Sequence, residues 1–172
     1  MRIWAWLVAA AVAVACVVAL AADARLSENQ RGWFDLLTEA ALSTALVALG
    51  LVLVARSSAG LIGGLLLGLA LTLSGVSAVD AVLAGLVERG YDANTLVRAG
   101  LALGSASWVV LFGLLTTLAL VFPTGRPATR RWGAVLVVSL VAYALTIVSI
   151  VLSDSPNPDV LEDVPGPFPS VP

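Results

Sequence analysis

Five apolar stretches of this chain each run for about twenty residues, four without a formal charge and one with Glu39 alone, and nothing else in the sequence restricts the fold so tightly. They cover residues 3–22, 36–55, 59–79, 99–122 and 132–153. A hydrocarbon core of about 30 Å is crossed by roughly 20 helical residues. Lipid offers no water to unpaired backbone groups, so a spanning segment is either a helix or a strand of a closed barrel. Barrel strands alternate apolar and polar residues over about ten positions, and these runs do not alternate. The expected fold class is all-α: a polytopic transmembrane helix bundle with five spanning helices in residues 1–153. A disordered, Pro/Asp-rich tail is expected at 154–172.

Composition agrees with lipid as the solvent. Of the 172 residues, 60% are hydrophobic and 12% charged, against about 45–50% and about 25% in a soluble domain. The residues that are missing exclude whole classes of chemistry. There is no His and no Lys, and there is one Cys. Imidazole catalysis, imidazole metal ligation and a phosphoacceptor histidine are excluded. So are a Schiff base and a P-loop lysine, and one cysteine makes neither an internal disulfide nor a thiolate zinc site. No cofactor and no metal site is expected, and no nucleic-acid partner. The expected partners are the lipid bilayer and either a second copy or a neighbouring membrane protein.

The connections are short. Residues 24–35 form a polar loop along the interface, Arg56-Ser57-Ser58 a tight turn, and residues 88–94 a break with Gly90 as helix C-cap. The first run has a rival reading. Arg2, an apolar core and Ala22-Asp23-Ala24 look like a secretory signal peptide with its cleavage site, although an h-region usually spans about 7–15 residues.

Charge sets an orientation. With the N-terminus inside, the inner segments hold Arg2, Arg56, Arg126, Arg130 and Arg131, and the outer segments hold Arg25, Arg31, Arg89 and Arg98. Five against four is a narrow positive-inside margin. All eleven acids fall on the outer side, where a membrane potential negative inside also favours them. The expectation is a multi-pass protein of the cell membrane with a cytoplasmic N-terminus and an extracytoplasmic C-terminus.

Several residues are candidates for function. Gly60, Gly64 and Gly68 form a small ridge at four-residue spacing, and Gly100 and Gly104 repeat it. Such ridges let backbones approach closely in lipid, either within one bundle or as a dimer face. Asp80 and Glu39 are expected as interfacial carboxylates, with a small cation or proton site as the alternative. Trp4, Trp6, Trp33 and Trp132 fit an aromatic belt. Trp108 falls inside the fourth run among Ser105, Ser107, Thr116 and Thr117. It is expected either on a bundle-facing polar stripe or in a small-ligand pocket. Arg126, Arg130 and Arg131 serve topology, and near the surface they also suit anionic lipid headgroups.

The turn Phe122-Pro123-Thr124-Gly125-Arg126-Pro127, followed by Arg130-Arg131-Trp132, resembles a pattern in the membrane-embedded N-terminal regions of actinobacterial sensor histidine kinases. In that family several helices precede the turn and one follows it. An outer proline-bearing loop and a further helix then lead to the kinase, and Pro156-Asn157-Pro158 looks similar to that loop. The resemblance implies a sensory membrane domain. The dimerisation helices, phosphoacceptor His and ATP-binding glycine boxes are missing, so no catalytic residue carries over. The chain is expected to be a truncated sensory region or a degenerate relative, not an enzyme. A small transport or ion-handling protein and a structural membrane partner are the alternatives.

Overall fold

The computed structural model describes residues 3–23, 33–56, 60–88 and 95–152. They form six helices: α1 (Ile3–Asp23), α2 (Trp33–Ala55), α3 (Gly60–Glu88), α4 (Thr95–Ser105), α5 (Ser107–Val121) and α6 (Arg130–Val151). Among the described residues there is no strand. The all-α expectation therefore holds, with corrections to the helices themselves. The C-terminal tail, the polar part of the first loop and Gly90 lie outside the described residues.

Three helices are long and apolar enough to cross a membrane, over Leu37–Ala55, Gly60–Leu83 and Arg130–Val151. A fourth span is available if α4 and α5 count as one, since Val97–Ser105 and Ser107–Val121 pass together although bent by 42°. That is fewer than the five intact spans expected. The described apolar part of α1, Ile3–Ala19, is shorter. The run 99–122 is not one helix, because it breaks at Ala106. Ser105 Oγ donates to Ala102 O at 2.8 Å, the carbonyl that also accepts from Ala106 N at 3.2 Å. Back-bonding of this kind often accompanies a helix bend.

The third run is longer than expected. α3 continues past residue 79 to Glu88 and spans 29 residues, about 43 Å of helix. No proline or glycine pair interrupts the apolar sequence beyond Asp80, and Ala78 and Ala81 remain buried. α2 begins three residues earlier than expected, at Trp33.

α3 is the axis of the bundle and packs against α1, α2, α4 and α5, whereas α6 packs against α5 and α4. α1 presents Ala5, Val12 and Ala19 at seven-residue intervals, all buried. Ala5 joins Val54 and Leu67 in one core cluster, which a cleaved leader would dismantle. A second cluster of Ile62, Leu66 and Leu69 meets Leu46 and Leu53 of α2 and Leu111, Leu114 and Leu118 of α5.

The closest approach is between α2 and α3. A Cβ on Gly63 would stand 2.7 Å from Gly50 O and 2.8 Å from Val54 N, and one on Gly50 would stand 3.0 Å from Gly63 O. The obstructing atoms are backbone, so no rotamer change relieves them. Gly63→Ala should therefore force the two helices apart and cost about 1–3 kcal/mol as overpacking. Gly75, whose added Cβ meets nothing within 4 Å, is the control: Gly75→Ala should be neutral or stabilise by up to about 1 kcal/mol. Thermal unfolding of the detergent-solubilised variants measures both. Equal midpoints for the two would contradict the close approach.

Candidate functional site

Two regions of the bundle hold the polar residues that apolar packing does not explain. The first lies between α1, α2 and α3. With Gly50 opposite Gly63, α2 and α3 run antiparallel, so Ser43 comes level with Ala70 and Glu39 with Ser74. Cys16 of α1 lies near Ser74 and Glu39 and is half-buried. Ser43 is fully buried and Ser74 is 1% exposed. Ser74 Oγ donates to Ala70 O at 2.9 Å.

Ser43 Oγ is buried and has no hydrogen-bond partner. The other hydroxyls in these helices with assigned bonds mostly return to the carbonyl one turn back. Thr44 bonds Ala40 O at 2.7 Å, Thr72 bonds Gly68 O at 2.9 Å, Thr117 bonds Gly113 O at 2.8 Å and Thr146 bonds Ala142 O at 2.9 Å. A buried hydroxyl left unpaired costs about 1–3 kcal/mol. Ser43 is therefore the polar atom in this layer that calls for an explanation.

Glu39 is half-buried in this layer. Asp80 sits within α3, with eight further helical residues beyond it, and not at the end of that helix. Its side chain lies outside the described residues. Sequence reasoning singled out neither Ser43 nor Cys16 for this layer. The available signal was the i, i+4 pair Glu39 and Ser43, followed at i+11 by Gly50, which sets three small or polar residues on one face of α2.

The glycine ridge is divided among neighbours of the same chain. An added Cβ on Gly64 would meet Trp4 at 3.6 Å and one on Gly68 would meet Leu114 at 3.8 Å, both ordinary contacts. Gly100 faces Leu83, whose side-chain end would stand 2.7 Å away. Gly60 and Gly104 are half-buried. The tight glycine contact is Gly50 with Gly63, which the four-residue pattern did not include.

Trp108 is 52% exposed and stacks edge-on against Phe112, with ring centroids 6.1 Å apart at 81°. It does not lie on a bundle-facing stripe. Positions 108, 112, 115 and 119 are all exposed, one outer stripe of α5, whereas Val109 and Gly113 are buried on the inner face. Thr116 takes the polar role inside this region. Its hydroxyl lies 2.9 Å from the Tyr143 hydroxyl of α6, whose ring covers Gly113.

The second region is the arginine turn. Phe122-Pro123 is a cis peptide and Gly125 has φ 75°, a left-handed conformation that suits glycine. Gly125 N donates to Val121 O at 2.7 Å, and Thr124 Oγ1 donates to Arg126 O at 3.0 Å. Thr129 caps α6, its hydroxyl oxygen accepting from Trp132 N at 3.4 Å. Arg126, Arg130 and Arg131 are all exposed. An added Cβ on Gly125 would lie 3.8 Å from Leu61 at the head of α3. With Trp4 on Gly64 and Val54 on Gly63, this gathers the start of α1, the end of α2, the start of α3 and the arginine turn at one end of the bundle. Arg56 therefore shares that end with Arg126, Arg130 and Arg131.

No protein-family model matches the chain, and no curated protein and no solved structure is significantly similar to it. Among the described residues no group of three or more His, Cys, Asp or Glu is placed to hold a metal ion.

The Thr116–Tyr143 bond joins α5 to α6 across lipid-facing helices, where such bonds are worth about 0.6 kcal/mol on average. Tyr143→Phe and Thr116→Val should each lower the unfolding free energy by about that amount, and the double variant should add little to either. Additive losses in the double-mutant cycle would contradict a direct bond.

Proposed function

We propose that this chain is an integral membrane domain of sensory or regulatory type, without catalytic activity of its own. The reading includes five membrane crossings, with α1 as the first and the bent α4–α5 pair as the fourth. The end of the bundle that carries Arg56, Arg126, Arg130 and Arg131 is cytoplasmic, and the C-terminus is extracytoplasmic. The class of activity comes from the resemblance of the arginine turn to the membrane regions of sensor histidine kinases.

One observation carries the reading: the bundle is unequally held. α1, α2 and α3 share buried cores, whereas α6 buries no residue and meets the bundle through α4 and α5. A helix held so lightly beside a fixed core has the character required of a moving part, because a switch needs two packings of similar energy. In lipid its exposed face, from Val135 and Val138 to Leu145 and Val148, meets either acyl chains or a membrane-embedded partner. Signal perception is then a shift of α6 over the hydrogen bond between Thr116 and Tyr143.

A second reading, ion or proton handling, is favoured by the unpaired Ser43 hydroxyl beside Glu39. An ionisable group inside a membrane-embedded core is a functional candidate by default, and an orphaned buried oxygen is where an ion or an ordered water would sit.

One measurement tests the orientation and a second separates the two readings. Reporter fusions after Pro172 should be active only for an extracytoplasmic reporter, and a cytoplasm-only reporter active there contradicts the orientation. Glu39→Gln in reconstituted vesicles should leave ion and proton permeability unchanged under the sensory reading. Loss of a wild-type flux in that variant would transfer the function to the Glu39 layer.

A further inference from the structure

We propose that the groove at the head of α6 binds one anionic phospholipid. Its phosphate is held at Arg130 with Arg126 and Arg131 beside it, and one acyl chain lies along α6. The proposal rests on the membrane reading above and goes beyond it by naming a ligand and its seat.

The groove has a volume of about 630 Å³. Pro127, Thr129 and Arg130 form its rim, and Gly133, Ala134, Val137 and Val138 its floor. These floor positions lie at i, i+1, i+4 and i+5, so they form a single stripe running away from the arginines along the helix. A cationic rim that opens into an apolar stripe matches a molecule with an anionic head and a hydrocarbon tail.

Charge is one-sided here. From Thr95 to Ser153 the sequence has no acid and carries Arg98, Arg126, Arg130 and Arg131. Three of these four cations occupy the turn and the first two positions of α6, and all three are exposed. No described carboxylate forms an ion pair with Arg126, Arg130 or Arg131 within this segment. A polybasic cluster at the membrane surface gains about 1 kcal/mol per arginine from anionic lipid, whereas a zwitterionic headgroup offers no net charge to attract it.

The rim has a fixed geometry. Gly125 seats the turn against Leu61, Thr124 closes it internally and Thr129 caps the helix. The floor has room, since an added Cβ on Gly133 meets nothing within 4 Å. α6 buries no residue against protein, so its floor stripe is available to lipid.

The test uses the full chain in nanodiscs of equal phosphatidylglycerol and phosphatidylcholine, with native mass spectrometry of the lipid retained on release. The wild type should retain phosphatidylglycerol over phosphatidylcholine. Arg130→Gln should lower that preference about fivefold. Gly133→Leu keeps every arginine and fills the floor; it should abolish the retained lipid while the unfolding temperature is maintained, because leucine favours helix over glycine. Wild-type retention without preference for the anionic lipid overturns the site. So does a Gly133→Leu variant that retains phosphatidylglycerol as the wild type does, since the attraction would then be diffuse charge without a groove. Failure of the wild type to enter nanodiscs overturns the membrane reading and the site together. Incorporation without selectivity overturns the site alone.

Discussion

The approach of Gly50 to Gly63 fixes the distance between α2 and α3, and the rest of the bundle is arranged around that contact. Lipid tails are as apolar as leucine, so helices in a bilayer gain little by hiding hydrophobic surface and associate through close packing. Two facing glycines allow backbone to touch backbone. Leu67 then seals the same crossing with Val54 and Ala5, and Ile62, Leu66 and Leu69 carry the packing outward to α5. α6 comes last, supported by Tyr143 over Gly113 and by the Thr116 hydroxyl. The order of support runs from α2–α3 outward, and packing loosens along it.

Polar groups follow the same gradient. In the central core they are few, and Ser74 is satisfied by its own helix. Ser43 is the exception, and it is next to Glu39 by helical spacing, so the one unpaired buried side-chain oxygen among the described residues falls near the half-buried carboxylate of α2. At the periphery, polar groups link elements instead: Thr116 to Tyr143, Thr129 to the head of α6, Thr124 within the arginine turn. A rigid centre and a tethered edge are what a membrane domain needs if one helix is to move while the others hold.

The helices were largely legible in the sequence because uncharged length is a strong signal. α2, α3 and α6 lie where the apolar runs place them, with ends displaced by a few residues or, for α3, by nine. The break at Ala106 was hidden because Ser105 and Ser107 read as tolerable helix residues, and the back-bond of Ser105 to Ala102 depends on local geometry. Trp108 was misplaced for a related reason. Its neighbours in sequence are polar, but only the phase of α5, set by Val109 and Gly113 against the bundle, decides which way the indole points. The four-residue glycine pattern includes Gly64 and Gly68, which face Trp4 and Leu114 at ordinary contact distance, but it passed over Gly50 and Gly63. Those two are partners across different helices, and no spacing along one helix encodes such a pairing.

The central claim is that α1–α3 form a fixed core beside which α6 can shift. Its most direct test is a pair of distance measurements by pulsed electron spin resonance in nanodiscs, with Cys16 replaced by Ser and spin labels on exposed positions. Labels at Leu42 and Leu71, on α2 and α3, should give one narrow distribution that is the same in thin and thick bilayers. Labels at Leu42 and Leu145, on α2 and α6, should give a broader distribution whose centre moves with bilayer thickness. A narrow and unmoving α2–α6 distance, or a core distance that moves as far as the outer one, would contradict the account.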